Sequence, residues 1–213
     1  MKLCMIGTGY VGLVSGTCFA DIGNQVYCVD KDINKIKKLN SGISPIYEPG
    51  LDELIKKNFN AKRLIFTTDL KKAINASDII FICVGTPNKK GTLKVDLSFV
   101  YKCVKEILSY TKNKKIIVTK STVPVGTGDE IEKILKKKKK LFSIISNPEF
   151  LREGEAIRDF RYPDRIVIGS NNKSEFNTMK KLYTPLISKG AKFFTTSRRG
   201  AELIKYAANA FLA

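Results

Sequence analysis

The chain has 213 residues, 43% hydrophobic and 27% charged, enough for one full globular domain plus a remainder. It holds no histidine, which excludes a Ser-His-Asp triad, a Cys-His pair, a histidine base and any histidine-ligated metal. Of the 38 basic residues behind the formal net charge of +18, 31 are Lys, beside 24 Ile and 13 Asn; this is read as compositional drift, and nucleic acid is not the expected partner.

The predicted elements alternate. Lys2 to Ile6 reads as a short apolar strand, Val11 to Ile22 as a helix, and Gln25 to Val29 as a strand ending in Asp30. Helices follow at Asp32 to Leu39 and at Leu51 to Asn58, after Pro49, then a strand at Leu64 to Thr67. Asp69 caps a predicted helix to Asn75. Asp78 to Val84 is a continuous apolar strand, the kind buried on both faces of a parallel sheet. Next come a helix (Ser98 to Tyr110), a strand (Ile116 to Thr119), a helix (Gly128 to Lys136) and a strand (Phe142 to Ile145). Gly154 to Phe160 and Ser174 to Ile187 read as helices; Arg165 to Ile168 and Lys192 to Phe194 read as strands. The last helix, Ala201 to Ala213, has an apolar stripe of Leu203, Ala207, Ala210 and Phe211 and no C-terminal cap, which predicts a chain cut in mid-helix. The fold class expected is α/β: a Rossmann-like, doubly wound parallel sheet (1–196), then the start of a long connecting helix (197–213).

The five cysteines (Cys4, Cys18, Cys28, Cys83, Cys103) lie in apolar contexts without C-x-x-C spacing. Small buried thiols in a reducing cytoplasm are expected, with no zinc site or other metal and no disulfide framework. The apolar N-terminus faintly resembles a signal peptide, but Gly7, Gly9, Gly12 and Gly16 interrupt it. No segment reaches the roughly 20 apolar residues of a membrane span.

Those glycines have a more specific reading. Gly7-Thr8-Gly9-Tyr10-Val11-Gly12 is G-x-G-x-x-G between a predicted strand and helix. Gly7 permits the turn, Gly9 lets a pyrophosphate approach the backbone, and Gly12 lets the helix meet the strand. The helix N-terminus attracts phosphate. Asp30 is placed to accept the adenosine ribose hydroxyls and to repel a 2′-phosphate, favouring NAD over NADP; Lys31 and Lys35 nearby temper that repulsion. The bland alternative is a glycine turn that only packs the first helix. Two loops at carboxyl ends of strands, Val84-Gly85-Thr86-Pro87 and Ser121-Thr122 through Thr127, suit a nicotinamide and its ribose, or are ordinary turns.

A second constellation follows a strand: Asn147-Pro148-Glu149-Phe150-Leu151-Arg152-Glu153-Gly154. Four of the seven Arg fall here (Arg152, Arg158, Arg161, Arg165), which suggests either bidentate anion recognition or salt bridges to Glu149, Glu153, Glu155, Asp159 and Asp164. Lys205 and Asn209, four apart on one helix face, can grip an oxyanion or a sugar hydroxyl, or simply face solvent.

GTGYVG, VGTP, STVPVGT, NPEFLREGEAI, PDRIVIG and AELIKYAANAFLA, in this order, closely resemble the UDP-glucose 6-dehydrogenase family over the whole chain. GDP-mannose and UDP-N-acetylmannosamine dehydrogenases share the plan and are the alternatives. The resemblance implies oxidation of UDP-glucose to UDP-glucuronate with two NAD, through a cysteine thiohemiacetal and thioester. It implies NAD contacts at Tyr10, Val11, Asp30, Lys35, Thr86, Thr122 and Glu153, and a substrate site of Glu149, Phe150, Leu151, Arg152, Glu153, Lys205 and Asn209. Glu149 would serve as acid/base in thioester hydrolysis, Thr122 would position water, and Lys205 and Asn209 would stabilise negative charge on oxygen. The family's catalytic Cys and its UDP-binding domain would lie beyond this chain, as would most of the helix that carries its dimer contacts. A reading of another class is a non-enzymatic NAD-binding module that presents its basic face to an acidic partner.

Overall fold

The computed structural model describes residues 1–92 and 94–212. Among the described residues eight strands form one sheet in the order β3-β2-β1-β4-β5-β6-β7-β8. The first six are β1 (Lys2–Ile6), β2 (Gln25–Val29), β3 (Leu64–Thr67), β4 (Ile79–Ile82), β5 (Lys115–Thr119) and β6 (Phe142–Ser146), all mutually parallel. Six helices link them: α1 (Tyr10–Asp21), α2 (Ile33–Asn40), α3 (Leu51–Asn60), α4 (Leu70–Ala76), α5 (Ser98–Tyr110) and α6 (Thr127–Ile134).

The period-2 alternation of each strand divides the core between the two faces. Leu3, Met5, Cys28 and Phe81 meet α1 and α3 on one face, around a cluster of Phe19, Phe81 and Tyr183. Cys4, Ile6, Ile80 and Ile82 meet α4, α5 and α6 on the other. All four residues of β4 are buried, as the continuous apolar run implied. The five cysteines are free and buried.

The expected doubly wound parallel sheet holds except at one junction near its far end. The link after β6 is a loop and the short helix α7 (Ala156–Arg161), which docks on α1 with Phe160 edge-on to Phe19, 4.9 Å between ring centroids. It does not cross the sheet face as a parallel return requires. Instead β7 (Arg165–Gly169) runs antiparallel to β6, with Ser146 opposite Gly169. After α8 (Lys173–Ile187), β8 (Lys192–Thr196) pairs parallel with β7.

Two smaller differences follow from local chemistry. The helix expected to reach Lys136 stops at Ile134, and Lys136–Leu141 forms an exposed 3-10 segment, where five successive lysines stay in water. The last helix, α9 (Arg198–Leu212), starts three residues earlier than expected, and its expected end at Ala213 lies outside the described residues. Leu203, Ala210 and Phe211 of its stripe are exposed and Ala207 is half-buried.

Candidate functional site

The glycine turn is built as its spacing implies. Gly7 has φ +103°, and a Cβ there would sit 2.7 Å from the Cys83 carbonyl oxygen. A Cβ on Gly12 would stand 1.9 Å from the Gly7 carbonyl oxygen, so α1 can approach β1 only without one. Gly9 differs. It is the N-cap of α1, yet a Cβ there would meet nothing within 4 Å. The protein's own packing therefore does not demand this glycine, and the space above it is open. The first turn of α1 has neither a side-chain cap nor an acidic residue, leaving its N–H groups and dipole free to face an anion. That combination fits the pyrophosphate of a dinucleotide.

Asp30 follows β2, beside this turn. One carboxylate oxygen accepts from the Thr8 amide (3.0 Å) and the Thr8 hydroxyl (2.7 Å), the other from the Asp32 amide (3.1 Å). Burial pushes its pKa up, but these donors and Lys35, 4.0 Å away, hold it below the ordinary carboxylate value. It stays ionised, as discrimination against a 2′-phosphate requires.

The two small loops are joined. The Thr86 hydroxyl donates to the Thr122 carbonyl (2.8 Å), and the Ser121 hydroxyl to the Val84 carbonyl (2.7 Å). Exposed Gly85 leaves open space where a Cβ would be, and Pro87 is exposed next to it.

Beyond β6, Asn147 is buried; its amide donates to the Val167 carbonyl (3.1 Å) and its oxygen accepts from Tyr183 (2.6 Å). This fixes the start of the loop that carries Glu149. The Glu149 carboxylate is paired with the ammonium of Lys120, whose side chain is 2% exposed. Burial alone would lower the Lys120 pKa, but Glu149 holds it well above the usual lysine value. Ser15 donates to the same Glu149 oxygen (3.4 Å), and the Phe150 amide to the other (2.9 Å).

Two cations lie over the Phe150 ring, the Arg165 guanidinium carbon 4.6 Å and the Lys205 ammonium 5.2 Å from its centroid. Lys205 titrates below its ordinary value, chiefly through desolvation, with Lys120 and Arg165 adding to the effect and Glu149 opposing it. A cleft of about 650 Å³ brings together Glu149, Phe150, Leu151, Arg152, Lys205 and Asn209, the expected substrate set except Glu153. Glu153 does not line it and is exposed, and Thr122 does not reach it. Arg152 is engaged elsewhere: its guanidinium takes both oxygens of Asp159 (3.0 and 2.7 Å), and its amide donates there too (2.9 Å). Arg158 and Arg161 likewise pair with Glu155 and Asp21. Salt bridging to the neighbouring carboxylates, the alternative for this arginine cluster, holds for Arg152 and Arg158, whereas Arg161 pairs with Asp21 on α1, outside the expected set.

Three charged residues that pattern reasoning did not single out complete the site. Lys120 is one. Glu48 is 7% exposed and accepts from the Tyr10 phenol and from the Gly154 (2.9 Å) and Ile157 (3.3 Å) amides. Glu202 is 3% exposed and accepts from the Gly126 (2.7 Å) and Gly128 (2.8 Å) amides and the Ser146 hydroxyl (3.2 Å). The flanking YEPG and AELIKY contexts were the available signal, but no spacing rule marks a lone buried Glu.

A further hollow of about 720 Å³ beside β6, lined by Lys114, Glu132, Lys139 and Asn172 among others, contains none of the expected site residues. Among the described residues no three His, Cys, Asp or Glu side chains gather as a metal cage, and no helix is long and apolar enough to cross a membrane. Burial pushes the thiols of Cys18 and Cys83 up to about 12 and that of Cys103 to about 11; those of Cys4 and Cys28 are raised too. None is poised as a thiolate.

Comparison with known proteins agrees with this geometry. The model of the UDP-glucose/GDP-mannose dehydrogenase family, NAD binding domain, matches residues 1–187. The UDP-glucose 6-dehydrogenase of Rhizobium meliloti (strain 1021) is 53% identical over 100% of this chain and 50% of its own length. UDP-glucose 6-dehydrogenase TuaD of Bacillus subtilis (strain 168) is 51% identical over 100% of this chain and 46% of its own. A GDP-mannose dehydrogenase ternary complex from Pseudomonas aeruginosa superposes with TM-score 0.94 at 35% identity, over 100% of this chain and 50% of that one. A UDP-glucose dehydrogenase from Pyrobaculum islandicum gives 0.92 at 36%, over 99% and 49%. The chain spans about half the length of the curated relatives it matches.

Proposed function

Because this chain belongs to the UDP-glucose/GDP-mannose dehydrogenase family, we propose that it is the NAD-binding part of a UDP-glucose 6-dehydrogenase, which oxidises UDP-glucose to UDP-glucuronate. The observation that carries the cofactor assignment is the ionised Asp30 beside the uncapped, open Gly9 turn. Gly7, Gly9, Tyr10, Val11 and Gly12 would face the pyrophosphate, Asp30 and Lys35 the adenosine ribose, and Gly85 to Pro87 with Ser121 and Thr122 the nicotinamide half. Glu153 would approach from the facing loop. NAD, when bound, supplies the hydride acceptor. The preference for UDP-glucose over GDP-mannose rests on the higher identity to relatives named for UDP-glucose.

In the cleft, Glu149 would hold or release a proton, while Lys205 and Asn209 would face negative charge on the sugar oxygen. Lys205 has no carboxylate within salt-bridge distance among the described residues, so its ammonium is available to a ligand. The division into a domain (1–196) and a linking helix (197–213), the homodimer and the cytoplasmic setting belong to the same proposal. Exposed Leu203, Phe211 and Leu212 support a partner for α9.

Calorimetric titration tests the assignment: NAD should bind, and NADP should bind more weakly. NAD and UDP-glucose together with the purified chain should yield no NADH, since its thiols are buried and protonated. Failure to bind NAD would overturn the cofactor assignment, and NADH formation would overturn the placement of the nucleophile elsewhere.

A further inference from the structure

The loop from Glu149 to Gly154 and the glycine turn are remote in sequence, yet one buried carboxylate joins them. Glu48, in the connection between α2 and α3, sits beneath both. One of its oxygens takes the Tyr10 phenol and the Gly154 amide at 2.9 Å; the other takes the Ile157 amide at 3.3 Å. The Tyr10 oxygen itself accepts from the Gly154 amide at 2.8 Å. Tyr10 begins α1, immediately after the open Gly9, and Gly154 directly follows Glu153.

The carboxylate is enclosed, while Gly154 itself lies in the exposed loop. Glu48 is 7% exposed, and desolvation with the Glu48 hydrogen bond pushes the Tyr10 phenol up to about 12, so it remains a proton donor across the physiological range. Gly154 adopts φ +86°, a conformation that costs little for glycine and that its hydrogen bonds to Glu48 and Tyr10 hold in place. A carboxylate held by several donors fixes the groups that bind it, because each bond to a charged acceptor is costly to leave unmade once buried.

We propose that Glu48 is a positioning residue that ties the first turn of α1 to the Glu149–Gly154 loop, so that a dinucleotide seated on the turn orders the loop facing the substrate. The inference rests on the dinucleotide assignment above. Coupling passes through one phenol, one carboxylate and two amides in direct contact, and it is reciprocal: a ligand that steadies the loop also favours the dinucleotide.

Amide hydrogen exchange at Gly154 and Ile157, with and without NAD, tests the proposal alongside calorimetry on wild type, E48Q and Y10F. Circular dichroism and melting would confirm that each variant folds. In the unliganded chain, E48Q should speed exchange at both amides by about tenfold, the loss of one hydrogen bond to a charged group. Y10F should leave Ile157 protected, because Glu48 still accepts from it. NAD should slow Gly154 exchange in wild type and not in Y10F, and E48Q should weaken NAD binding several-fold. Equal unliganded exchange in wild type and E48Q would overturn the tether whatever NAD does. Tight NAD binding with unchanged Gly154 exchange in wild type would overturn the coupling alone. No NAD binding by wild type would overturn the dinucleotide assignment beneath it.

Discussion

Lys120 places its ammonium directly against the carboxylate of Glu149, joining the end of β5 to the loop after β6. The lysine is almost wholly enclosed and the glutamate only partly, so the pair is a buried cation held by the inner oxygen of a carboxylate whose rim reaches the cleft. Lys120→Met removes the cation and leaves the carboxylate without its counter-charge. Unfolding in urea should show a loss of about 3 kcal/mol, since breaking a buried pair from one side is more harmful than replacing both partners. K120M/E149L should recover part of that loss. A double variant no more stable than the single one would mean that the charge pair is not what holds this loop.

A substitution at Asp30 tests the proposed dinucleotide contact. Asp30→Asn keeps the shape and some hydrogen bonds but removes the charge. Calorimetry should show NAD binding weakened by about tenfold and the gap between NAD and NADP narrowed. An unchanged preference for NAD would place the discrimination on another group.

The glycines of the turn give a matched contrast. Gly9→Ala adds a methyl group into open space, so the melting temperature should hold while NAD binding falls. Gly12→Ala drives a methyl into the Gly7 carbonyl, so it should destabilise the fold by about 2 kcal/mol or more. Equal effects of the two substitutions on stability would contradict this geometry.

Acid should loosen the packing of α1 against α3 and α7. Asp21 receives Lys57 at 2.7 Å, Arg161 at 2.8 Å and Asn58 at 3.3 Å. Burial acts to raise its pKa, but these three partners hold it below the ordinary carboxylate value. A depressed folded value means the contribution is fully present above the unfolded value of about 3.9 and is lost as pH falls through the folded one. Wild type should therefore exceed D21N by about 1 kcal/mol near neutral pH, with the gap closing below about pH 4. A gap that persists in acid would assign the effect to shape rather than charge.

Much of this architecture is legible in the residues. The strand and helix periods, Gly7, Gly9, Gly12, Asp30 and the cap at Asp69 each act through neighbours close in the chain or through a rule of spacing. Asp69, for example, accepts from the Lys72 amide at 2.9 Å. The reversal at β7 was not legible, because it accompanies the docking of α7 on α1, where Phe160 meets Phe19, far away in sequence. Lys120, Glu48 and Glu202 were hidden for the same reason. One lysine among 31 carries no mark of its burial, and a lone glutamate shows its partners only after the chain has folded. Arg152 shows an intermediate case: the sequence leaves it open between an anion and a nearby carboxylate, and it pairs with Asp159 seven residues on.

The position of Glu202 has a consequence for the timing of α9's own turns. Its carboxylate engages the Gly126 and Gly128 amides at the start of α6, so the rotational phase of α9 is set against the loop that carries Thr122. Lys205 lies three residues further along the same helix and Asn209 four beyond that, and each residue advances the helix by about 100° and 1.5 Å. One residue inserted between Glu202 and Lys205 would leave the anchor intact and swing Lys205 and Asn209 roughly a quarter turn away from the cleft. The spacing E-x-x-K-x-x-x-N is thus a length standard, and the carboxylate is its zero mark.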